Sequence, residues 1–113
     1  MFLLTLKGKI MSSKNNGMGF PVVSDVLSNV VKKFSKKRGL VPEVSADLFS
    51  DASQLHVSYN RNQNFTTAIL TAKNGGVIVG VAKRNPIDHD SALRGRSLAL
   101  SRAFNNYLTE IFP

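Results

Sequence analysis

The residues best suited to acid–base chemistry are Asp88-His89-Asp90, a histidine between two carboxylates. Such a histidine can serve as a general base or as half of a metal site. No second cluster completes a site of this kind, and the alternative is that Asp90 caps a helix while Asp88 turns the preceding loop. The sequence has no nucleophile elbow, phosphate-binding loop or zinc-ligand spacing. We therefore expect no enzyme activity, no metal site and no cofactor.

A second group of polar residues suits the binding of an anion. The aliphatic run 77–82 ends in Lys83, Arg84 and Asn85, followed by a proline that restricts the loop. The loop leads to the predicted start of a helix, where free backbone N–H groups attract anions. The Asn85 amide can donate and accept hydrogen bonds to a base or sugar. Residues 77–107 are therefore the predicted binding segment. Further cations follow on its helix: Arg94, Arg96 and Arg102.

The net charge of +8, from 15 basic and seven acidic residues, is large for 113 residues. Such a field attracts phosphates of nucleic acids, nucleotides or anionic membranes without selecting among them. Residues 32–38 hold five of the cations, in a run typical of a solvated helix end. The chain has no cysteine, so neither a disulfide framework nor a thiolate metal site is expected.

The length fits one domain, and residues 12–19 have the composition of a linker. We expect a flexible N-terminal arm at 1–19 and a single α+β ligand-binding domain at 20–113. The first ten residues are apolar but too short to cross a bilayer. They lack the charge order and cleavage site of a secretory signal, so a cytoplasmic protein without a membrane partner is expected.

The pattern of apolar residues predicts the order α-β-β-β-α, an α+β fold with a three-stranded antiparallel sheet and helices packed on one face. The first helix is expected at 24–38, capped by Ser24 or Asp25 and ended by Gly39. Residues 39–53 are expected to form a loop or a short turn. Strands are expected at 55–59, 65–72 and 77–82, with Asn74-Gly75-Gly76 turning a hairpin. The last helix should begin at Asp90 or Ser91 and end near Ile111.

Each predicted helix carries an apolar stripe. The first stripe consists of Val23, Val26, Leu27, Val30, Val31 and Phe34. The second consists of Leu93, Leu100, Ala103, Phe104, Tyr107 and Ile111. Gly95 would weaken the last helix unless close contact with the sheet requires it. Arg102 does not belong to the second stripe. From its position beside the stripe, its side chain could reach along the sheet edge or to a partner subunit.

The run Gly80-Val-Ala-Lys-Arg-Asn-Pro-Ile-Asp88, with the later G-x-x-x-A-x-x-R-A pattern of residues 95–103, resembles a known family. These are the phage Thoeris anti-defence proteins, which act as sponges for cyclic ADP-ribose isomers. The resemblance rests on short motifs and covers about 30 residues. It implies that a cyclic nucleotide is bound and not cleaved, between subunits of a homo-oligomer in the cytoplasm of an infected bacterium.

The resemblance also implies roles for particular residues. The family's ligand-contacting Asn falls on Asn85, and its helix Arg falls on Arg102. A pyrophosphate-bearing ligand needs cations, supplied by Arg84 and Arg102, and an aromatic face for adenine. The family's aromatic and second Arg have no matching motif, and Phe65 or Tyr59 could supply the ring and Arg61 the cation. The complete set of predicted ligand-binding residues is Asn85, Arg102, Arg84, Lys83, Phe65, Arg61 and Arg94.

Nucleic-acid binding is the alternative. The order α-β-β-β-α is that of double-stranded-RNA-binding domains, and the positive charge suits them. Those domains place a lysine-rich cluster at the start of the last helix, where this chain has Ser91-Ala92-Leu93-Arg94-Gly95-Arg96. Single-strand annealing proteins, which pair a sheet with a basic helix, remain a further possibility, as does a protein that blocks a host protein through its basic face.

Overall fold

The computed structural model describes residues 19–83 and 92–113. Six elements follow one another in these ranges: α1 (Val23–Arg38), α2 (Pro42–Ser53), β1 (His56–Arg61), β2 (Phe65–Thr71), β3 (Val77–Lys83) and α3 (Ala92–Ile111). The strands form one antiparallel sheet in the order β1-β2-β3. The expected α+β class, with helices packed against a three-stranded antiparallel sheet, is confirmed.

Helix α1 matches its prediction except at its cap. Leu27, Val30, Val31 and Phe34 are buried along one side. Gly39 ends the helix with φ 66°, a left-handed conformation that glycine adopts without strain. The predicted capping by Ser24 or Asp25 is wrong. The N-cap position is Val22, which makes no side-chain cap, and both polar residues lie inside the first turn.

Helix α2 replaces the loop or short turn expected at residues 39–53, so that expectation is wrong. Pro42 occupies the start of the helix, where its fixed φ and missing N–H are tolerated. Leu48 and Ala52, one turn apart, are buried. Serines and aspartates give this segment low helix propensity, and packing of its short apolar stripe against α1 and α3 overrides that preference.

The strand register determines which residues face the helices. Thr66, Ala68 and Leu70 of β2 are buried beneath the helical layer. The alternate residues face away from the helices and form an outer face, where Val77, Val79 and Val81 are between 41% and 58% exposed. The hairpin predicted at Asn74-Gly75-Gly76 is confirmed, with Gly75 at φ 89° and the Gly76 N–H bonded to the Asn74 side chain at 2.8 Å.

Helix α3 lies unusually close to the sheet because β3 has a glycine beneath it. A Cβ atom at Gly80 would overlap the backbone of Ala99 and Ala103. Near the start of the helix, a Cβ on Gly95 would come within 3.1 Å of the Thr66 hydroxyl oxygen. The close contact with the sheet suggested for Gly95 is therefore present.

The apolar stripe predicted for α3 is partly wrong. Leu93 and Ile111 are 46% and 41% exposed, whereas Ala99 and Leu108 are fully buried. Leu100, Ala103 and Phe104 are buried as expected, and Tyr107 is half-buried. The burial of Ala99 follows from the close approach at Gly80, where the backbone of Ala99 and Ala103 lies directly on the sheet.

Candidate ligand-binding site

Five of the seven predicted ligand-binding residues lie in the described ranges: Arg61, Phe65, Lys83, Arg94 and Arg102. Arg84 and Asn85 lie outside them, as do Asp88, His89 and Asp90. Most of the predicted binding loop thus lies outside the described residues. The site must be built from the elements on either side of that loop.

Four predicted residues lie at one end of the sheet. Arg61 ends β1, Phe65 begins β2, Lys83 ends β3 and Arg94 lies in the first turn of α3. Phe65 pairs with Lys83 across the two strands, so an exposed ring and a cation are neighbours on the outer face. We call these four residues the sheet-end cluster.

The sheet-end cluster is divided between the two faces of the sheet. Arg61 is the register partner of Thr66, whose side chain is buried on the helix side. Phe65 and Lys83 occupy the opposite face by strand alternation. A single small ligand therefore cannot contact all four positions through one face of the sheet.

Arg102 lies beside the edge of β3. Its Nη1 donates a hydrogen bond to the Val81 carbonyl oxygen at 2.8 Å. One turn later, the Asn106 amide donates to the Val79 carbonyl oxygen at 3.0 Å. The reach of Arg102 along the sheet edge is thereby confirmed, and its guanidinium is held in a defined position.

Arg102 also lines a pocket between α1 and α3, with a volume of about 320 Å³. A neighbouring pocket of about 210 Å³ shares Lys33 and Asn105 with it. We call the two together the α1–α3 groove. The lining residues of the groove are Asn29, Val30, Lys33, Phe34, Lys37, Arg38, Ser101, Arg102, Asn105, Asn106 and Thr109.

Helical spacing produces the polar lining of the α1–α3 groove. Asn29, Lys33 and Lys37 follow at intervals of four on α1, so they share one side of that helix. On α3, Asn105 lies three residues after Arg102 and faces the same groove. The lining combines cations with amides and hydroxyls and contains no carboxylate, which is the chemistry that recognises a phosphate together with polar base or sugar edges.

Sequence reasoning missed most of the groove. The run 32–38 was expected to be a solvated helix end, yet Lys33 and Lys37 line the groove. Asn29, Asn105 and Asn106 were not singled out. Asparagine is unfavourable inside helices, so three of them in helix interiors were the available signal.

Arg38 has structural contacts within the groove. Its guanidinium lies 4.7 Å from the centre of the Phe34 ring, a cation–π arrangement. Its Nη1 donates to the carbonyl oxygens of Phe112 and Pro113 at 2.9 and 3.2 Å. Arg38 therefore ties the last residues of the chain to α1, whereas Lys33 and Lys37 present their ammonium groups from exposed side chains.

Arg96 holds the first described residues against α3. Its Nη1 donates to the Gly19 carbonyl oxygen at 2.9 Å, and its guanidinium lies 4.0 Å from the centre of the Phe20 ring. The Phe20 ring in turn contacts Tyr59, with 5.7 Å between ring centroids. Tyr59, considered as a stacking aromatic for a ligand, is thus enclosed by Phe20 and Arg96. Phe65 remains exposed.

Tyr59 titrates abnormally in this enclosure. Burial raises the pKa of its phenol, and the positive charge of Arg96 offsets part of that rise. Within the part of the chain that the structure describes, three buried polar atoms have no hydrogen-bond partner: the Tyr59 hydroxyl, the Thr66 hydroxyl and Arg96 Nε. Arg96 of α3 lies near the Tyr59 ring of β1, with 5.9 Å between its guanidinium carbon and the ring centre, and Thr66 lies on the adjacent strand β2.

Comparison with protein families, curated proteins and solved structures found no match. Across residues 19–83 and 92–113, no three histidine or acidic side chains lie close enough to hold a metal ion. None of the helices described is long and apolar enough to cross a membrane.

Proposed function

We propose that this chain is a non-catalytic binding protein that captures a nucleotide-type ligand in the α1–α3 groove. The observation that carries the proposal is the position of Arg102, fixed by Val81 and lining the same pocket as Lys33 and the Asn29 and Asn105 amides. Two cations next to amides match a phosphate joined to a polar base or sugar.

The groove has the capacity for such a ligand. Its larger pocket, about 320 Å³, lies at the lower end of the range of about 300 to 1,000 Å³ for small-molecule sites. A guanidinium has five N–H donors, and one bond to Val81 leaves others for a phosphate. Because Val81 already orders Arg102, little side-chain entropy should be lost on binding.

The resemblance to the phage sponges supports a more specific form of this proposal. The ligand would be a cyclic nucleotide immune signal, held without cleavage by a homo-oligomer and so withdrawn from its receptor. Arg102 is the family's helix Arg by motif, and it lines the groove. By the same motif, Asn85 is the second residue expected to contact the ligand.

Variants of two groove residues, with Lys32→Ala as the matched control, test the groove. Lys33 lines it, whereas the adjacent Lys32 is not among its lining residues and is also exposed. We expect Lys33→Ala and Arg102→Ala each to weaken binding of cyclic ADP-ribose, measured by calorimetry, about tenfold or more. Lys32→Ala removes the same charge and should leave the affinity within about twofold. Equal losses for Lys33→Ala and Lys32→Ala would reject the groove.

The identity of the ligand can be read from the protein itself. Purified protein is denatured, and the released small molecules are analysed by mass spectrometry. A retained nucleotide from cells that make the immune signal, lost in Asn85→Ala and Arg102→Ala, supports sequestration. Release of the nucleotide in hydrolysed form would contradict a non-catalytic role.

Nucleic-acid binding is a second candidate, favoured by the cations that line both pockets of the groove. Lys33 lines the pocket that contains Arg102, and Lys37 continues the positive lining along α1 into the neighbouring pocket. A row of cations can follow a phosphate backbone, and each neutralised phosphate steepens the salt dependence of binding. Strong binding to duplex RNA or single-stranded DNA with a steep salt slope, and no retained nucleotide, would favour this candidate over the sponge.

A further inference from the structure

A second groove lies beside the β2–β3 hairpin, at the end of the sheet opposite the sheet-end cluster. It consists of two adjoining pockets, with volumes of about 360 and 290 Å³. We call the two together the hairpin groove. The residues that line both of its pockets are Leu55, Ala72, Asn74 and Tyr107. Among the described residues, none lines both this groove and the α1–α3 groove, so the two are separate sites.

Most of the lining of the larger pocket is apolar. Leu70 of β2 is buried there, and Leu55 and Ile78 are half-buried. Val77 and Ile111 also line it, and they are 58% and 41% exposed. Ile111, which the apolar stripe predicted to be buried, thus lines a cavity and not the core. Apolar side chains that remain partly exposed around a cavity gain free energy when an apolar ligand covers them.

The charges around the hairpin groove are mainly negative, although the chain as a whole carries a net charge of +8. Asp51 lines one pocket and Glu110 lines the other. Lys73, in the exposed hairpin turn, is the one cation among the lining residues. Within residues 19–83 and 92–113, neither carboxylate forms a salt bridge. Both carboxylates are therefore available to a cationic ligand.

Asp51 occupies a position that the electrostatics of its own helix disfavour. It lies in the last turn of α2, which contains no basic residue. The C-terminal end of a helix carries a partial negative charge, so a cation is favourable there and a carboxylate is unfavourable. Helix α1 follows this rule, with Lys36, Lys37 and Arg38 in its last turn. A residue that breaks a local rule beside a cavity is a candidate for function.

Tyr107 lies where the two pockets meet. Its ring is half-buried, and burial and, to a lesser extent, the charge of Asp51 raise the pKa of its phenol. The negative charge of Asp51 therefore reaches the wall that the two pockets share. Glu110 follows three residues after Tyr107, so it lies on the same side of α3. An aromatic ring between two carboxylates suits an ammonium group, through charge attraction and cation–π contact.

We propose that the hairpin groove binds a small organic amine that has an apolar body. The ammonium group lies beside the Tyr107 ring, within reach of Asp51 and Glu110. The apolar body covers Leu55 and Ile78. The larger pocket, about 360 Å³, falls within the range of about 300 to 1,000 Å³ for small-molecule sites. This inference goes beyond the proposed function and does not depend on it.

Phenethylamine and phenethyl alcohol test the class of ligand, because they share one apolar body and only the amine is charged. In an NMR titration of the full chain, we expect the amine to shift the Tyr107 and Ile78 signals with a Kd of about 1 mM or tighter. The alcohol should bind at least about tenfold more weakly, since it cannot form a charge-assisted contact with a carboxylate. Equal affinity for the two compounds, or no shift with about 10 mM amine, would overturn the proposal.

Isosteric variants test the two carboxylates. Asp51→Asn and Glu110→Gln each remove one charge and should weaken amine binding about threefold. Asp47→Asn removes the same charge one turn earlier on α2, from an exposed residue that does not line the groove, and should leave the affinity within error. Equal losses for Asp51→Asn and Asp47→Asn would contradict the site.

Two further measurements on Asp51→Asn separate binding from other effects. Its melting temperature should not fall, because the carboxylate is unfavourable at the end of α2. Its affinity for cyclic ADP-ribose should stay unchanged, because Asp51 does not line the α1–α3 groove. Weaker amine binding that accompanies a lower melting temperature would mean that Asp51 is structural alone, and would overturn its role in the site.

Discussion

Arg102 of α3 donates a hydrogen bond to the carbonyl oxygen of Val81, across 2.8 Å from helix to strand edge. The bond fixes a cation at the rim of the α1–α3 groove, and it occupies an outward group of β3. In the proposed function, the same side chain would position a ligand in addition to covering the sheet edge.

The variant Arg102→Lys separates these roles. Lysine keeps the positive charge but has no planar fork to contact Val81 and a phosphate together. We expect nucleotide affinity to fall about tenfold, while the free energy of unfolding changes by less than about 1 kcal/mol. Calorimetry and urea unfolding measure the two quantities. A large loss of stability with unchanged affinity would mean that Arg102 is structural alone.

Gly80→Ala should be strongly destabilising. The new methyl would overlap the backbone of Ala99 and Ala103, so α3 must move away from the sheet. Overpacking of this kind costs about 3 kcal/mol, measured by urea unfolding. Gly76→Ala is the matched control, because its Cβ would meet the Asn74 side-chain oxygen at 3.1 Å in an exposed turn. Similar costs for the two variants would show that α3 is not held at Gly80.

Alkaline pH should weaken the fold through Tyr59. Burial raises its pKa above the usual 10.0, so the folded protein holds the phenolic proton more tightly than the unfolded chain. The contribution of the protonated phenol to the free energy of unfolding is complete below about pH 10. It is lost as the pH rises through the pKa of Tyr59 in the folded protein. Unfolding by urea at about pH 8 and about pH 11 measures the decline.

Tyr59→Phe should reduce that alkaline decline. The lost hydroxyl has no hydrogen-bond partner within the described residues, so stability near neutral pH should change by less than about 0.5 kcal/mol. Some loss of stability at alkaline pH should remain in this variant, because burial and, to a lesser extent, Asp51 also raise the pKa of Tyr107. An unchanged pH profile in Tyr59→Phe would contradict this assignment.

Phe65→Ala distinguishes the sheet-end cluster from the groove. Phe65 is 43% exposed on the outer face beside Lys83, and it does not line the α1–α3 groove. If the groove holds the whole ligand, affinity for cyclic ADP-ribose should stay within about twofold, since an aromatic contact would be worth more. A tenfold loss, measured by calorimetry, would place part of the ligand on the sheet end.

Local sequence patterns were sufficient to predict the elements that depend mainly on local interactions. The α1 stripe, the Gly39 stop and the Asn74-Gly75-Gly76 turn follow from helical periodicity and from backbone conformations that glycine favours. Such patterns were insufficient for α2, which depends on tertiary packing. The exposed positions of Leu93 and Ile111 were also unpredictable, because the close approach at Gly80 selects alanine for the buried side of α3.

The candidate site was predictable in part. Arg102 could be singled out by motif, but its partners in the groove come from α1, about 70 residues earlier in the chain, and local patterns do not report such distant contacts. Arg61, Phe65, Lys83 and Arg94 were expected to share a ligand. The meander brings Arg61, Phe65 and Lys83 to one end of the sheet, while strand alternation separates Arg61 from Phe65 and Lys83.

The covered edge of β3 also limits how copies of this protein could stack. Growth of a fibril by strand addition requires two accepting edges on each molecule, one for each neighbour. Here Arg102 and Asn106 occupy the outward carbonyls of Val81 and Val79 on β3. Strand addition at β3 would first have to break both of these bonds, which should disfavour growth of a cross-β filament from this edge.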